Sequence, residues 1–214
     1  MARSDPQHTV RRMFEVRIHG RGGQGVVTAA ELLSVAAFDE GRHAQAFPSF
    51  GSERTGAPVV AFCRIADREI RVREPVVLPD AVVVQDATLL NQVDVFAGLK
   101  PEGYVLVNSP LTVSQLGLDD LDDGSRRMMT IPATEIAREH IGRPVTNLVM
   151  LGGLAAFTGL IHLPALLSAM QKHFPGLLGE KNAAAATAAY ELVQSRLSHN
   201  GQHVTKETSG AHAD

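Results

Sequence analysis

The hydrophobic pattern of the chain changes period several times, and each change marks an element. Phe14-Glu15-Val16-Arg17-Ile18 alternates apolar and polar residues, which predicts a half-buried strand. The chain then runs through Gly20-Arg21-Gly22-Gly23-Gln24-Gly25 into Val26 to Phe38, where Val27, Ala30, Leu33 and Ala37 recur along one helical stripe. Gly41 closes that helix. His43 to Phe47 predicts a short second strand, and Pro48 to Pro58 a polar, glycine-rich loop. Val59 to Ile65 and Glu69 to Val72 predict a hairpin around Ala66-Asp67-Arg68. The apolar run from Ala81 to Gln85, ending in Asp86, has the signature of a strand buried on both faces. Tyr104 to Asn108 predicts another buried strand and Arg127 to Ile131 a further one, with a short helix over Thr88 to Phe96.

From Pro132 onward the pattern is helical: Ala133 to Ile141, Asn147 to Leu160, Pro164 to His173 and Lys181 to Leu197. The acidic stretch Asp119 to Gly124 has no apolar period and predicts a solvated turn. Strands alternating with helices imply an α/β fold: a mostly parallel, Rossmann-like sheet with helices on both faces and the hairpin as an antiparallel excursion. Residues 1–12 form an N-terminal extension and 13–198 one domain. Residues 199–214, polar and aperiodic, predict a disordered tail.

Composition narrows the chemistry. With 214 residues, 44% apolar and 20% charged, the chain can bury a core without metal or disulfide. Cys63 is its single cysteine, so no internal disulfide forms and no iron–sulfur cluster is held by this chain alone. Its place within a strand marks it as an inert core thiol. Net charge is −3, which gives no sign of a nucleic-acid partner. The first 75 residues hold 11 arginines and no lysine. That is either an anion-handling N-terminal half or a plain preference for Arg. The apolar stretch Asn147 to Leu163 is too short to span a bilayer and is broken by glycines. Met1 to Arg12 lacks the apolar core of a signal peptide, so a cytoplasmic protein is expected. His199, His203 and His212 fix no common face, and no metal site is expected.

The glycine run carries the strongest chemical signal. Strand, glycines and helix in that order place Gly20, Gly22 and Gly25 on a G-x-G-x-x-G pattern. Glycines let an anion approach the backbone closely, and the free first-turn amides of the following helix point at it. Arg21 adds positive charge beside the loop. A Walker loop would need Lys after Gly25, where Val26 stands. An NAD site wants an acid about 20 residues past the glycines, where Gln45 stands between Ala44 and Ala46. A self-contained NAD-binding Rossmann oxidoreductase therefore remains the alternative to a general pyrophosphate site for a ligand such as coenzyme A, and an empty structural turn remains a third reading. No H-E-x-x-H, G-x-S-x-G or C-x-x-C motif occurs, the thiamine diphosphate signature is missing, and no catalytic residue is assigned. The loop Phe47 to Pro58 would emerge on the same carboxyl edge of the sheet as the glycines.

Several separated blocks together resemble one family. Ile18-His19-Gly20-Arg21-Gly22-Gly23-Gln24-Gly25 with Thr28-Ala29-Ala30 resembles the opening of the gamma subunits of 2-oxoacid:acceptor oxidoreductases, of which the pyruvate:ferredoxin enzymes are the best known. The likeness continues through Ala44-Gln45-Ala46-Phe47-Pro48, Glu53-Arg54-Thr55-Gly56-Ala57-Pro58, Gln85-Asp86-Ala87-Thr88-Leu89-Leu90, and Asn147 with Met150-Leu151-Gly152. It covers about 13–197. The resemblance implies a multi-subunit enzyme that oxidatively decarboxylates a 2-oxoacid, such as pyruvate or an aryl-glyoxylate (phenylglyoxylate), to an acyl-CoA and carbon dioxide. It places thiamine diphosphate on partner alpha and beta subunits and iron–sulfur clusters on beta and ferredoxin-like subunits. For this chain it implies help in coenzyme A binding and subunit packing. Arg21, Gly22, Gly23, Gln24 and Gly25 are then the coenzyme-binding residues, and Glu53, Arg54, Thr55 and Gly56 a loop at the subunit junction. Asn147 is expected to cap a helix.

Overall fold

The computed structural model describes residues 13–49, 55–119 and 126–208, with side chains as far as residue 199. Its strands are β1 (Phe14–Arg21), β2 (His43–Pro48), β3 (Pro58–Ala66), β4 (Ala81–Val84), β5 (Tyr104–Asn108) and β6 (Arg127–Ile131). Its helices are α1 (Val26–Asp39), α2 (Ala133–Ile141), α3 (Asn147–Thr158), α4 (Leu163–His173) and α5 (Leu177–Thr208). The six strands form one sheet in the order β2-β3-β1-β4-β5-β6. Strands β1, β4, β5 and β6 pair in parallel, and β3 runs antiparallel to both β1 and β2. This is the expected mostly parallel α/β sheet with one antiparallel excursion.

The excursion is built differently from the expected hairpin. Strand β3 is hydrogen-bonded to β1 along one edge and to β2 along the other. Both of its edges are filled, so residues 69–72 have no strand to pair with and form no ladder. The same pairing lengthens β1, because Gly20 and Arg21 lie opposite Val59 and Pro58. The glycine loop thereby shrinks to the turn between Arg21 and Val26.

Both faces of the sheet are covered, but unequally. Val16, Ile18, Ala81, Val83, Leu106 and Ile131 point to one face and share a single core with buried residues of all five α-helices. The alternate residues Val82, Val84, Val105 and Val107 point to the other face. There Leu89, from a short 3-10 turn over Ala87–Asn91, and the loop residues Val95 and Leu99 close a smaller core. Helix α1 buries Val26, Ala29, Ala30, Leu32, Leu33, Ala36 and Ala37, more than the one predicted stripe. It lies between β1–β3 on one side and α3 and α4 on the other, so two flanks are apolar.

Two boundaries move. Helix α5 continues to Thr208 through residues expected to be a disordered tail. Extending a nucleated helix adds a hydrogen bond per residue fixed, which is far easier than starting one, so polar residues can follow an apolar-faced helix. The Ser198 hydroxyl donates to the Gln194 carbonyl 2.9 Å away, and His199 Nδ1 lies 2.6 Å from the Ser195 carbonyl. The expected acidic turn at 119–124 and residues 1–12 and 209–214 fall, apart from Asp119, outside the described residues. Among the described residues no helix is long and apolar enough to cross a membrane.

Candidate functional site: the glycine turn at the carboxyl edge

Strand β1 delivers the glycine turn at the carboxyl edge of the sheet, where the chain departs towards β2 on one side and β4–β6 continue on the other. In open α/β sheets this crevice is where ligands bind. Gly23 and Gly25 take positive φ values of 92° and 70°, which disfavour any residue with a Cβ. A Cβ on Gly25 would also run into the Asn147 side chain, whereas one on Gly23 would meet nothing within 4 Å. Gly25 is glycine to fit its own protein. Gly23 faces open space.

The amides of the turn divide into used and unused. Gly22 N–H donates to the Ala57 carbonyl at 2.9 Å, and Gln24 N–H to the Arg21 carbonyl at 3.0 Å. Gly22 is therefore fixed by the 55–57 segment and is not an available donor, contrary to its expected role. Gly56 N–H returns a bond to the Gly22 carbonyl at 3.1 Å, and Thr55 bridges Gly22 in parallel. The amides of Gly23 and Gly25 have no partner among the described residues. Helix α1 begins at Gly25 without a side-chain cap, so its first-turn amides are also unsatisfied. These donors open on a cavity of about 320 Å³ lined by Arg21, Gly22, Gly23, Val26, Thr28 and Val59, among others.

Arg21 is not the mobile cation that the sequence suggested. Its Nε donates to Asp86 Oδ2 at 3.0 Å and its Nη1 to the Gly56 carbonyl at 3.0 Å. Its Nη2 reaches Thr88 Oγ1 at 2.6 Å and Gln92 Oε1 at 3.0 Å. Gln24 is equally committed: its Oε1 accepts from Arg21 N–H at 2.8 Å, and its Nε2 donates to Asp86 Oδ2 at 3.1 Å. Burial raises the Asp86 pKa, but hydrogen bonds from Thr88 and Gln24 and the Arg21 charge outweigh it and hold the carboxyl below the ordinary range.

Asn147 does not cap a helix with its side chain. Thr146 is the N-cap of α3, and Asn147 Nδ2 instead donates to the Gly25 carbonyl at 3.2 Å, because the starts of α1 and α3 abut. Behind the turn, His19 Nε2, both amide atoms of Gln85 and Asn147 Oδ1 are buried without hydrogen-bond partners. Burial, and secondarily the Arg17 charge, lowers the His19 pKa to about 4, so the ring is neutral at pH 7. Burial likewise pushes the Cys63 thiol up, which suits the inert role expected of it.

Of the expected site residues, the structure brings Arg21 to Gly25 together with Thr55 and Gly56. Glu53 and Arg54 lie outside the described residues. Sequence reasoning missed Asp86, Thr88 and Gln92 as parts of this site. One signal pointed to Asp86: a lone acid directly after a buried strand sits at the carboxyl edge by construction.

Relatives agree with this architecture. Residues 15–192 match the family described as pyruvate ferredoxin/flavodoxin oxidoreductase. The pyruvate synthase subunit PorC of Methanothermobacter thermautotrophicus is 50% identical over 182 residues, spanning 85% of this chain and 97% of that one. The common gamma subunit of the pyruvate/ketoisovalerate oxidoreductases of Pyrococcus furiosus is also 50% identical over 182 residues, 85% of this chain and 98% of its own. The crystal structure of pyruvate oxidoreductase subunit PORC from Thermotoga maritima superposes with a TM-score of 0.73 at 37% identity, covering 85% of this chain and 97% of that one. The chain belongs to the pyruvate ferredoxin/flavodoxin oxidoreductase family, as a gamma-type subunit of an oxidoreductase.

Proposed function

We propose that this subunit helps to hold coenzyme A for a complex that oxidatively decarboxylates a 2-oxoacid to an acyl-CoA. The observation that carries this reading is the set of unpaired amides at Gly23, Gly25 and the first turn of α1, opening on one cavity. A 14-residue helix with an uncapped N-terminus offers both donors and a favourable dipole to phosphate groups. Gly23, with nothing near its Cβ position, lets those groups reach the backbone. Gly22, Gln24 and Arg21 shape the turn instead of contacting the ligand. Coenzyme A supplies the thiol that accepts the acyl group. This chain contributes orientation and an open cradle of backbone amides.

The decarboxylation chemistry belongs to partners: alpha and beta subunits carrying thiamine diphosphate, and beta and ferredoxin-like subunits carrying iron–sulfur clusters. A gamma subunit that meets them through the Glu53–Gly56 loop accounts for the way Thr55 and Gly56 are tied to the turn. Those partners select the 2-oxoacid, whether pyruvate or an aryl-glyoxylate, and the complex works in the cytoplasm. The rival NAD reading finds less support. Its fingerprint puts the acidic residue on the strand beside β1, but here β3 stands between β1 and β2.

Two measurements test the proposal. Purification of the native complex should recover this chain with thiamine diphosphate and iron, and a lone chain active by itself would refute the assignment. In the assembled enzyme, Gly23→Val should raise the coenzyme A KM and the calorimetric Kd by at least about tenfold, the worth of one good phosphate contact. Unchanged affinity would mark the turn as empty. Stoichiometric NADH binding to the isolated chain, followed by fluorescence, would favour the rival.

A further inference from the structure

The glycine turn needs an external support, and the structure supplies one. A segment with glycines at 20, 22, 23 and 25 is conformationally loose, and its positive-φ residues gain little from their own neighbours. Within the turn the only ties are Gln24 N–H to the Arg21 carbonyl and Arg21 N–H to Gln24 Oε1. Loose amides bind poorly, because ordering them consumes part of the interaction energy.

The support comes from the end of β4, over 60 residues away in sequence. One oxygen of Asp86, Oδ2, accepts from Arg21 Nε at 3.0 Å and from Gln24 Nε2 at 3.1 Å. Those two residues flank Gly22 and Gly23, so a single atom staples both sides of the turn. The other oxygen, Oδ1, accepts from the Thr88 amide at 3.0 Å and the Thr88 hydroxyl at 2.5 Å, which fixes the plane of the carboxylate. Arg21 then carries the hold onward to the Gly56 carbonyl, beneath the 55–57 segment that also pairs with Gly22. Side-chain exposures of 21% for Arg21 and 18% for Asp86 leave this pair well shielded from salt.

We propose that Asp86 is the positioning residue of the coenzyme A site: it fixes, through Gln24 and Arg21, the turn that presents the phosphate-binding amides, and through Arg21 it couples that turn to the 55–57 segment. The inference rests on the reading of the turn as a phosphate grip. It also gives Arg21 a role other than ligand contact. Its charge is matched by Asp86, and the grip on phosphate is made by backbone alone.

The test uses the assembled complex with Asp86→Asn, Asp86→Ala, Arg21→Lys and the Arg21→Lys/Asp86→Ala double variant. Coenzyme A binding is read by calorimetry without 2-oxoacid. Turnover is compared between coenzyme A and pantetheine, a thiol without the nucleotide phosphates. Asp86→Ala should raise the coenzyme A Kd about tenfold and lower kcat/KM for coenzyme A by the same factor relative to pantetheine. Arg21→Lys keeps the cation but loses the fork, and should reproduce most of this effect. The double variant should be no weaker than Asp86→Ala alone, since both break one device. Asp86→Asn, which retains acceptors for Thr88, should fall between wild type and Asp86→Ala. An unchanged Kd in Asp86→Ala, alongside a raised Kd in Gly23→Val, would overturn the positioning role and leave the phosphate grip intact. A parallel fall of kcat/KM for both thiols would also overturn it. If neither variant moves the Kd, the phosphate reading falls, and the role of Asp86 with it.

Discussion

Strands β1 and β4 carry an arginine–carboxylate network at each end, and the two networks do different work. At the amino end, Arg64 of β3 donates through Nε to Glu15 of β1 at 2.9 Å, and Lys100 bonds Asp80 at 2.8 Å. Glu15 N–H donates to Asp80 Oδ2 at 2.9 Å, and Arg64 also holds the carbonyls of Val72 and Glu74. The Arg64 side chain is only 2% exposed and stacks 5.1 Å from the centre of the Phe47 ring. In that network each charge meets another. At the carboxyl end, Arg21 and Asp86 are matched with similar care, yet beside them Gly23, Gly25 and the start of α1 keep unpaired amides. His19 Nε2, Gln85 and Asn147 Oδ1 lie buried and unpaired behind the turn. Unmet buried hydrogen-bonding capacity costs about 1–3 kcal/mol per group, and these side-chain atoms stand behind the turn whose amides we propose as the functional edge. Charged pairing by itself does not identify a site. The unmet donors next to it are the ground of the proposal.

The comparison breaks most readily at the amino end. Arg64→Met removes one partner of a buried pair and should destabilise the subunit by about 3–5 kcal/mol in urea denaturation. Coenzyme A affinity of the surviving folded complex should not change. A changed affinity would show that the amino end is not purely structural.

Acid should act at the open end. Folded His19 binds its proton near pH 4, while an unfolded histidine binds it near 6.5. The unfolded chain therefore takes up the proton first as pH falls. Stability that is complete above about pH 7 should decline between 6.5 and 4, by about 3 kcal/mol for this group. Asp86, held low, adds a further loss only as pH falls below the ordinary carboxylate range. Denaturation of His19→Phe across this range should show a flatter profile; an unchanged slope would mean that another group dominates.

The smallest effect sharpens the contrast between two glycines. Gly25→Ala forces a Cβ into a left-handed position and against Asn147, and should cost about 1–2 kcal/mol of stability. Gly23→Ala, strained but sterically open, should cost less stability and more coenzyme A affinity. The reverse ranking would mean that Gly23 serves the fold.

Much of the fold was legible because local periodicity survives folding. The bounds of β5, β6 and α2 coincide with the predicted stretches Tyr104–Asn108, Arg127–Ile131 and Ala133–Ile141. The strand at 69–72 failed because β3 already had two neighbours, a fact of pairing and not of composition. The site was half legible. The glycines stand where the pattern placed them, but Gly22 and Arg21 turned out to be occupied by Ala57, Gly56 and Asp86, partners at least 35 residues away.

The amino-acid sequence alone determined the kinds of element, the glycine turn between a strand and a helix, and membership of the family. Each of these is written in neighbouring residues or in blocks that keep their order. Tertiary structure alone decided the place of β3 between β1 and β2, the confinement of α-helices to one face, and which turn amides stay unpaired. Periodicity tells a residue whether to be buried. It does not say beside which distant residue, and at this edge the distant neighbour determines whether a donor is spent or available.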